Sequence, residues 1–245
     1  MNMLFENASI NSARQSWFGA PFLVGARGAF FKRNFWIALI LVLANAVQVP
    51  PAMRVRALQL LGAACVELTA GQQLDLAFEN EARINPEQYL RMAHGKTAAL
   101  LAAAAEMGAL AGGATARVRT HYRQFGAHLG IAFQIRDDVL GIWGTTASGK
   151  SAASDIESRK KTLPLVYGCS VSPALAAAYR PLAQGGAGTA EIIDLLEQAG
   201  ARGYAEAREQ AAARAAEAQL ALAQPRGAAG SALRTLTAQL LGRAA

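Results

Sequence analysis

The segment FQIRDDVLGIWG, Phe133 to Gly144, sets two adjacent aspartates and an arginine inside an apolar run. Two carboxylates side by side on a buried helix repel each other and resist desolvation unless something compensates them. On a helix, positions i, i+3, i+4 and i+7 share one face. Gln134, Asp137, Asp138 and Gly141 fall on that pattern, so an amide, two carboxylates and a glycine form a polar strip. Facing a cavity, such a strip can hold a hard cation through carboxylate oxygen. Facing solvent, or paired with Arg136 and nearby bases, it needs no ligand, and the spacing alone leaves both readings open.

Other residues favour the first reading. Of five aspartates, four lie in three polar islands: Asp75 in GQQLDLAFE, the adjacent pair, and Asp155 in SDIESRKK. Asp194 reads as ordinary helix surface. Lysine is equally scarce, yet Lys96, Lys150, Lys160 and Lys161 accompany the same islands. Acids for a cation and ammonium groups for an anion, gathered together, suggest a metal–phosphate site.

One loop calls for a different chemistry. GTTASGKS, Gly144 to Ser151, matches the phosphate-binding pattern GxxxxGK[ST]. That loop works between a buried strand and a helix, where backbone amides and the helix dipole both face the phosphates. Here the preceding segment reads as helix and AASDIESRK afterwards lacks an apolar helical face, so a nucleotide site is not expected. Cys65 and Cys169 have no metal-spaced partner, and His94, His121 and His128 make no ligand set with them. Two thiols in a reducing compartment are expected, and with them a cytoplasmic location.

The elements that must carry these groups are helices. Hydrophobic residues make up 53% of the 245, alanine is abundant, and there are only 8 prolines; this mixture favours helix, with no β-branched alternation in sight. Helices are predicted from about Met53 to Asn80, and from Pro86, with Asn85 as N-cap and Glu87 in the first turn. The second is interrupted or bent at Gly95 and ends near Gly112-Gly113. A long helix runs from Thr115 to about Trp143, and further helices begin near Leu163, Pro173, Thr189, Tyr204 and Ala232. FWIALILVLANAV, Phe35 to Val47, is too short for a membrane span and reads as a buried helix. No linker forces a second domain. The formal charge of +7 lacks the aromatic-interleaved basic stripe of a nucleic-acid binder, so no nucleic acid partner is expected.

These motifs resemble the trans-isoprenyl diphosphate synthases, the polyprenyl synthetase family. GIAFQIRDDVLGIWG is similar to the family's second aspartate-rich motif, followed by GK…SDI…KKTLP; GQQLDLAFE and GKTAALLAAAAEMGALAGG match upstream segments in order. The resemblance implies an all-α, single-domain bundle around a central cavity, usually a homodimer, without stable membrane insertion. It implies that an allylic prenyl diphosphate is condensed with isopentenyl diphosphate using Mg2+, as in farnesyl- or geranylgeranyl-type synthases. By the same resemblance Asp137 and Asp138 are the metal residues, with Asp138 in the supporting place. Lys96, Thr97 and Gln134 sit near the reacting carbon; Lys96, Lys150 and Lys160 contact diphosphate. Gln72, Asp75 and Asp155 support them, though polar contacts between helices explain Gln72 and Asp75 equally well.

Two departures stand out. The usual third acid of the second motif is Gly141 here. Residues 1–50 contain no aspartate, so the family's first aspartate-rich motif is missing and the bundle is expected to be incomplete at its amino end. Residues 1–50 read as a divergent segment and 51–245 as the family-like helical domain. Losing half a carboxylate cage predicts an impaired prenyltransferase; the alternative is a non-catalytic subunit that binds an intact synthase.

Overall fold

The computed structural model describes residues 49–81, 83–144, 153–179 and 188–241. The chain divides into two units, Met1–Gln48 and Val49–Ala245, and the second is described by itself. The buried-helix reading of Phe35–Val47 lies outside the described residues, as do Lys150 and nearly all of the GTTASGKS loop. Within the described residues every regular element is a helix, as composition predicts. None is long and apolar enough to cross a membrane.

α1, Pro51–Asn80, starts with proline in its first turn, where a missing N–H costs nothing. It buries Leu60, Ala64, Gly71 and Phe78, spaced by four and seven residues along one face. α2, Pro86–Ala93, opens with a reciprocal cap: Asn85 Oδ1 accepts from Gln88 N–H, and Gln88 Oε1 accepts from Asn85 N–H, both at 2.8 Å. The helix then widens into a π-helical turn, His94–Ala98, before continuing as α3, Ala99–Ala111. The bend expected at Gly95 is therefore an insertion of the i→i+5 kind, often found at functional sites.

The cause of that turn is the closeness of its neighbours. A Cβ on Gly95 would lie 2.8 Å from Glu67 O and 2.9 Å from Gly71 Cα, so α1 crosses the turn backbone to backbone. On the other side runs α4, Ala116–Trp143, capped by Thr115. A Cβ on its Gly130 would lie 2.5 Å from Ala98 Cα, and one on Gly126 2.7 Å from Leu101 C. The π-turn and the start of α3 are thus wedged between two helices, Gly71 of α1 meeting Gly95 and Lys96 N and Gly126 and Gly130 of α4 meeting Ala98, Leu101 and Ala102.

α4 is the central helix and packs chiefly on α3 and on α9, Ala201–Ala223. After α4 come a single turn, α5 (Ser154–Glu157), then α6 (Leu163–Val171), α7 (Pro173–Ala178), α8 (Thr189–Gln198), α9 and α10 (Gly227–Leu241). Gly200, between α8 and α9, has φ +66°, the left-handed conformation of a helix-ending glycine. Ile135 and Val139 of α4 join Phe78, Tyr89, Met92, Leu163 and Val166 in one buried cluster. That cluster fixes α1, α2, α4 and α6 around the polar groups below.

Candidate active site

Eight of the ten singled-out residues form one chain of contacts. Gln72 Nε2 donates to Asp75 Oδ2 at 3.4 Å, and Lys96 Nζ donates to the same oxygen at 2.5 Å. Thr97, next to Lys96 on the π-turn, donates its hydroxyl to Gln134 Oε1 on α4 at 2.8 Å. Gln134 Nε2 donates to Asp138 Oδ1 at 3.2 Å. Lys160 Nζ donates to that Oδ1 at 3.2 Å and to Asp155 Oδ2 at 3.3 Å. The row ties α1, the π-turn, α4 and the segment before α6 together. Asp137 is half-buried beside it, and Lys150 lies outside the described residues.

The two adjacent aspartates have different surroundings. Asp138 is completely buried, and its Oδ2 accepts from the Tyr89 hydroxyl and, at 2.9 Å, from the Leu163 backbone N–H. Its two oxygens therefore face four donors. Burial pushes the Asp138 carboxyl up, while Lys160, Tyr89 and the Leu163 N–H pull it back. A proton on either oxygen would displace one of those donors, so the carboxylate is the form this pocket suits. Burial opposes the Lys160 charge, but Asp138 and Asp155 outweigh it and hold the ammonium above the ordinary lysine range. Tyr89 is raised by burial first and by the Asp138 charge second. Arg136 donates to Glu209 on α9 at 3.3 Å.

Gly141, the position of the absent third acid, is packed against Asp155. A Cβ there would lie 3.0 Å from Asp155 Oδ1 and closer still to Cγ and Oδ2. A third acid could not enter without moving Asp155 from Lys160. The next lysine turns the other way: Lys161 donates to the carbonyls of Phe78 and Glu81 at the end of α1. Such a cation at a helix C-terminus satisfies carbonyls left without helical partners. Tyr179 holds this stretch from below, its hydroxyl donating to Lys160 O at 3.4 Å while Arg159 Nη1 donates to Tyr179 O at 3.3 Å.

Tyr89 was not among the residues that motif reading singled out. Its one signal is position, seven residues before Lys96 on the same helical face. The P-loop reading also meets its context: α4 remains helical up to Trp143, so no strand leads into GTTASGKS.

An all-helical protein with acids, amides and lysines joined across four segments is the class that fold and site define. The family model described as "Polyprenyl synthetase" matches residues 14–197. The chain belongs to that family, the trans-isoprenyl diphosphate synthases. The match begins upstream of Pro50, where the motif resemblance begins. A (2E,6E)-farnesyl diphosphate synthase of Mycobacterium tuberculosis (strain ATCC 25618 / H37Rv) is 49% identical over 112 residues, which is 45% of this chain and 31% of that protein. A polyprenyl synthetase structure from Streptomyces coelicolor A3(2) superposes with TM-score 0.75 at 28% identity, covering 95% of this chain and 73% of the other. A geranylgeranyl pyrophosphate synthetase structure from Pyrococcus horikoshii Ot3 gives TM-score 0.74 at 30% identity, with coverage of 82% and 62%. The aligned part spans 31% of that farnesyl diphosphate synthase and less than half of the other curated relatives compared with it.

Proposed function

We propose that this chain is a prenyltransferase of isoprenoid biosynthesis that condenses an allylic prenyl diphosphate with isopentenyl diphosphate. The observation that carries the reading is the continuous row from Gln72 to Asp155. It joins amides, lysines and carboxylates, the kinds of group such a reaction uses, from α1, the π-turn, α4 and the segment before α6.

Family members of this kind imply Mg2+. Among the described residues no three acids, cysteines or histidines converge as a ready-made cage. Asp138 is completely buried among its donors, whereas Asp137 is half-buried on the same strip. Mg2+ commonly takes one or two carboxylates and completes its shell with water and substrate phosphate oxygens, so Asp137 together with a diphosphate fits it. When bound, the ion supplies Lewis-acid stabilisation to the departing diphosphate.

The chain's own groups do the rest. Lys160 uses two of its three N–H donors on Asp138 and Asp155, leaving one for phosphate oxygen. Lys96 spends one on Asp75 and keeps two. Thr97 directs its proton at Gln134, so its oxygen lone pairs point elsewhere, toward positive charge developing on the allylic carbon. Gln134, with its amide hydrogens on Asp138, presents carbonyl oxygen to the same side. Asp138 is thereby an anchor for Lys160 and Gln134 rather than a direct ligand.

The test is incubation of the purified chain with allylic primers of several lengths, isopentenyl diphosphate and Mg2+. A longer prenyl diphosphate is expected, and its loss in Asp137→Ala. No product from any primer at high Mg2+ removes the reading. The lack of any aspartate in residues 1–50 favours a second reading in which the chain serves as a subunit of an intact synthase. Co-purification with such an enzyme, alongside absent turnover alone, would select it.

A further inference from the structure

The mechanism above uses Gln134 and Lys160 but leaves unexplained what keeps them in place. Both share one oxygen, Asp138 Oδ1, at 3.2 Å each, beside the second holds of Lys160 on Asp155 and of Thr97 on Gln134. That oxygen is fixed only if the carboxylate cannot swing about its last bond. The opposite oxygen, Oδ2, decides this, and it has two holders: the Leu163 N–H and the Tyr89 hydroxyl. Leu163 N–H belongs to the first turn of α6, whereas Tyr89 comes from α2 on the other side of the buried cluster. Tyr89 is 1% exposed, so its hydroxyl has no water to turn to, and a buried tyrosine O–H needs a partner.

We propose that Tyr89 is a positioning residue: its hydroxyl, held on Asp138 Oδ2, fixes the carboxylate whose other oxygen orients the Gln134 amide and the Lys160 ammonium. The amide orientation follows by elimination of donors and acceptors. Asp138 as carboxylate only accepts, so Gln134 must turn its NH2 toward it and its carbonyl toward Thr97. Without Tyr89 the carboxylate keeps one holder on Oδ2, rotates more freely, and releases the Gln134 carbonyl from its fixed direction. The π-turn would feel this through Thr97, which donates to that carbonyl at 2.8 Å. The value of this orientation for catalysis rests on the prenyltransferase reading; the orientation itself does not.

The experiment reads the Gln134 side-chain amide directly by 15N–1H spectroscopy of the full chain, its signals assigned by their disappearance in Gln134→Leu. Tyr89→Phe removes one oxygen and keeps the ring. Both Gln134 amide proton signals are expected to shift, and their exchange with solvent to quicken roughly tenfold, as for loss of one buried hydrogen bond. In an Asp138→Asn background the same Tyr89→Phe change should move them no further. Gln134 signals that stay within a linewidth after Tyr89→Phe, while Asp138→Asn shifts them, overturn the proposal. Should Tyr89→Phe not fold, 3-fluorotyrosine at position 89 alone carries the test, since it keeps the ring and hydroxyl and changes only the donor's acidity. Unmoved Gln134 signals would again refute it.

A second arm measures binding of inorganic diphosphate with Mg2+ by calorimetry. Tyr89→Phe is expected to weaken it roughly tenfold through the loosened Lys160. Binding unchanged in Tyr89→Phe removes the Lys160 half of the proposal. Absence of binding in the unaltered chain, with Gln134 signals still responding to Tyr89→Phe, sinks the prenyltransferase reading and leaves the positioning role intact.

Discussion

Replacing Gly141 by alanine should have opposite effects on stability depending on what stands at position 155. In the natural chain the new methyl would come 3.0 Å from Asp155 Oδ1 and closer to Cγ and Oδ2, so the carboxylate must leave its seat. Overpacking of this kind costs about 2 kcal/mol, the middle of its usual range. Loosening the Lys160–Asp155 pair, which is mostly shielded from solvent, adds about 1 kcal/mol. Alanine in a helix interior returns about 1 kcal/mol relative to glycine. The net loss is about 2 kcal/mol, or roughly 4–8 °C in midpoint for a domain of this size. With Asp155→Ala already present, the overlapping atoms are gone and only the helix gain remains, so Gly141→Ala should then stabilise by up to about 1 kcal/mol. Urea unfolding followed by circular dichroism on the four chains measures the coupling, expected at about 3 kcal/mol. If Gly141→Ala has the same sign and size in both backgrounds, within about 0.5 kcal/mol, the account of this glycine is wrong.

Two further outcomes follow from the same geometry. Gly95→Ala should destabilise by about 3 kcal/mol, because the atoms it meets, Glu67 O and Gly71 Cα, are backbone and cannot rotate aside; Gly62→Ala, which meets nothing within 4 Å, should gain up to about 1 kcal/mol. Thermal midpoints of the two variants, compared side by side, decide this. Burial pushes the Cys169 thiol up to about 11, against the opposing charges of Arg83 and Lys161, so its thiolate fraction at pH 8 is roughly 100-fold below that of an ordinary cysteine. Iodoacetamide with site-resolved mass spectrometry should label the partly buried Cys169 far more slowly than a small free thiol until denaturant is added; equal rates would contradict this.

What could be read in advance was what depends on nearby residues. The start of α2 was legible in Asn85, Pro86 and Glu87, three successive residues, and the reciprocal bonds of Asn85 with Gln88 complete it. The length of α4 follows from its own apolar spacing and the cap at Thr115. Gly95 announced a break, but its π form needs Gly71 of α1 pressing from the far side, a partner 24 residues upstream. The pair at 137 and 138 was legible as a polar strip. Which aspartate is buried was not, because the choice is made by Tyr89 from α2 and the Leu163 N–H from α6. Gly141 read as a missing acid, and only the packing of Asp155 against it supplies its reason. Lys161 looked like a companion of Lys160, whereas it serves the end of α1.

The bare backbone crossings around the π-turn set a rule for how this protein can diversify. Because Gly71, Gly126 and Gly130 meet their neighbours chiefly through main-chain atoms, the path of the turn that carries Lys96 and Thr97 is set there by backbone rather than by long hydrocarbon side chains. Apolar residues elsewhere can be exchanged, enlarging or shortening whatever space they border, while the polar groups stay in register. Exchange of apolar packing and constancy of the polar row are therefore separable in one scaffold, and the glycines are where that separation is enforced.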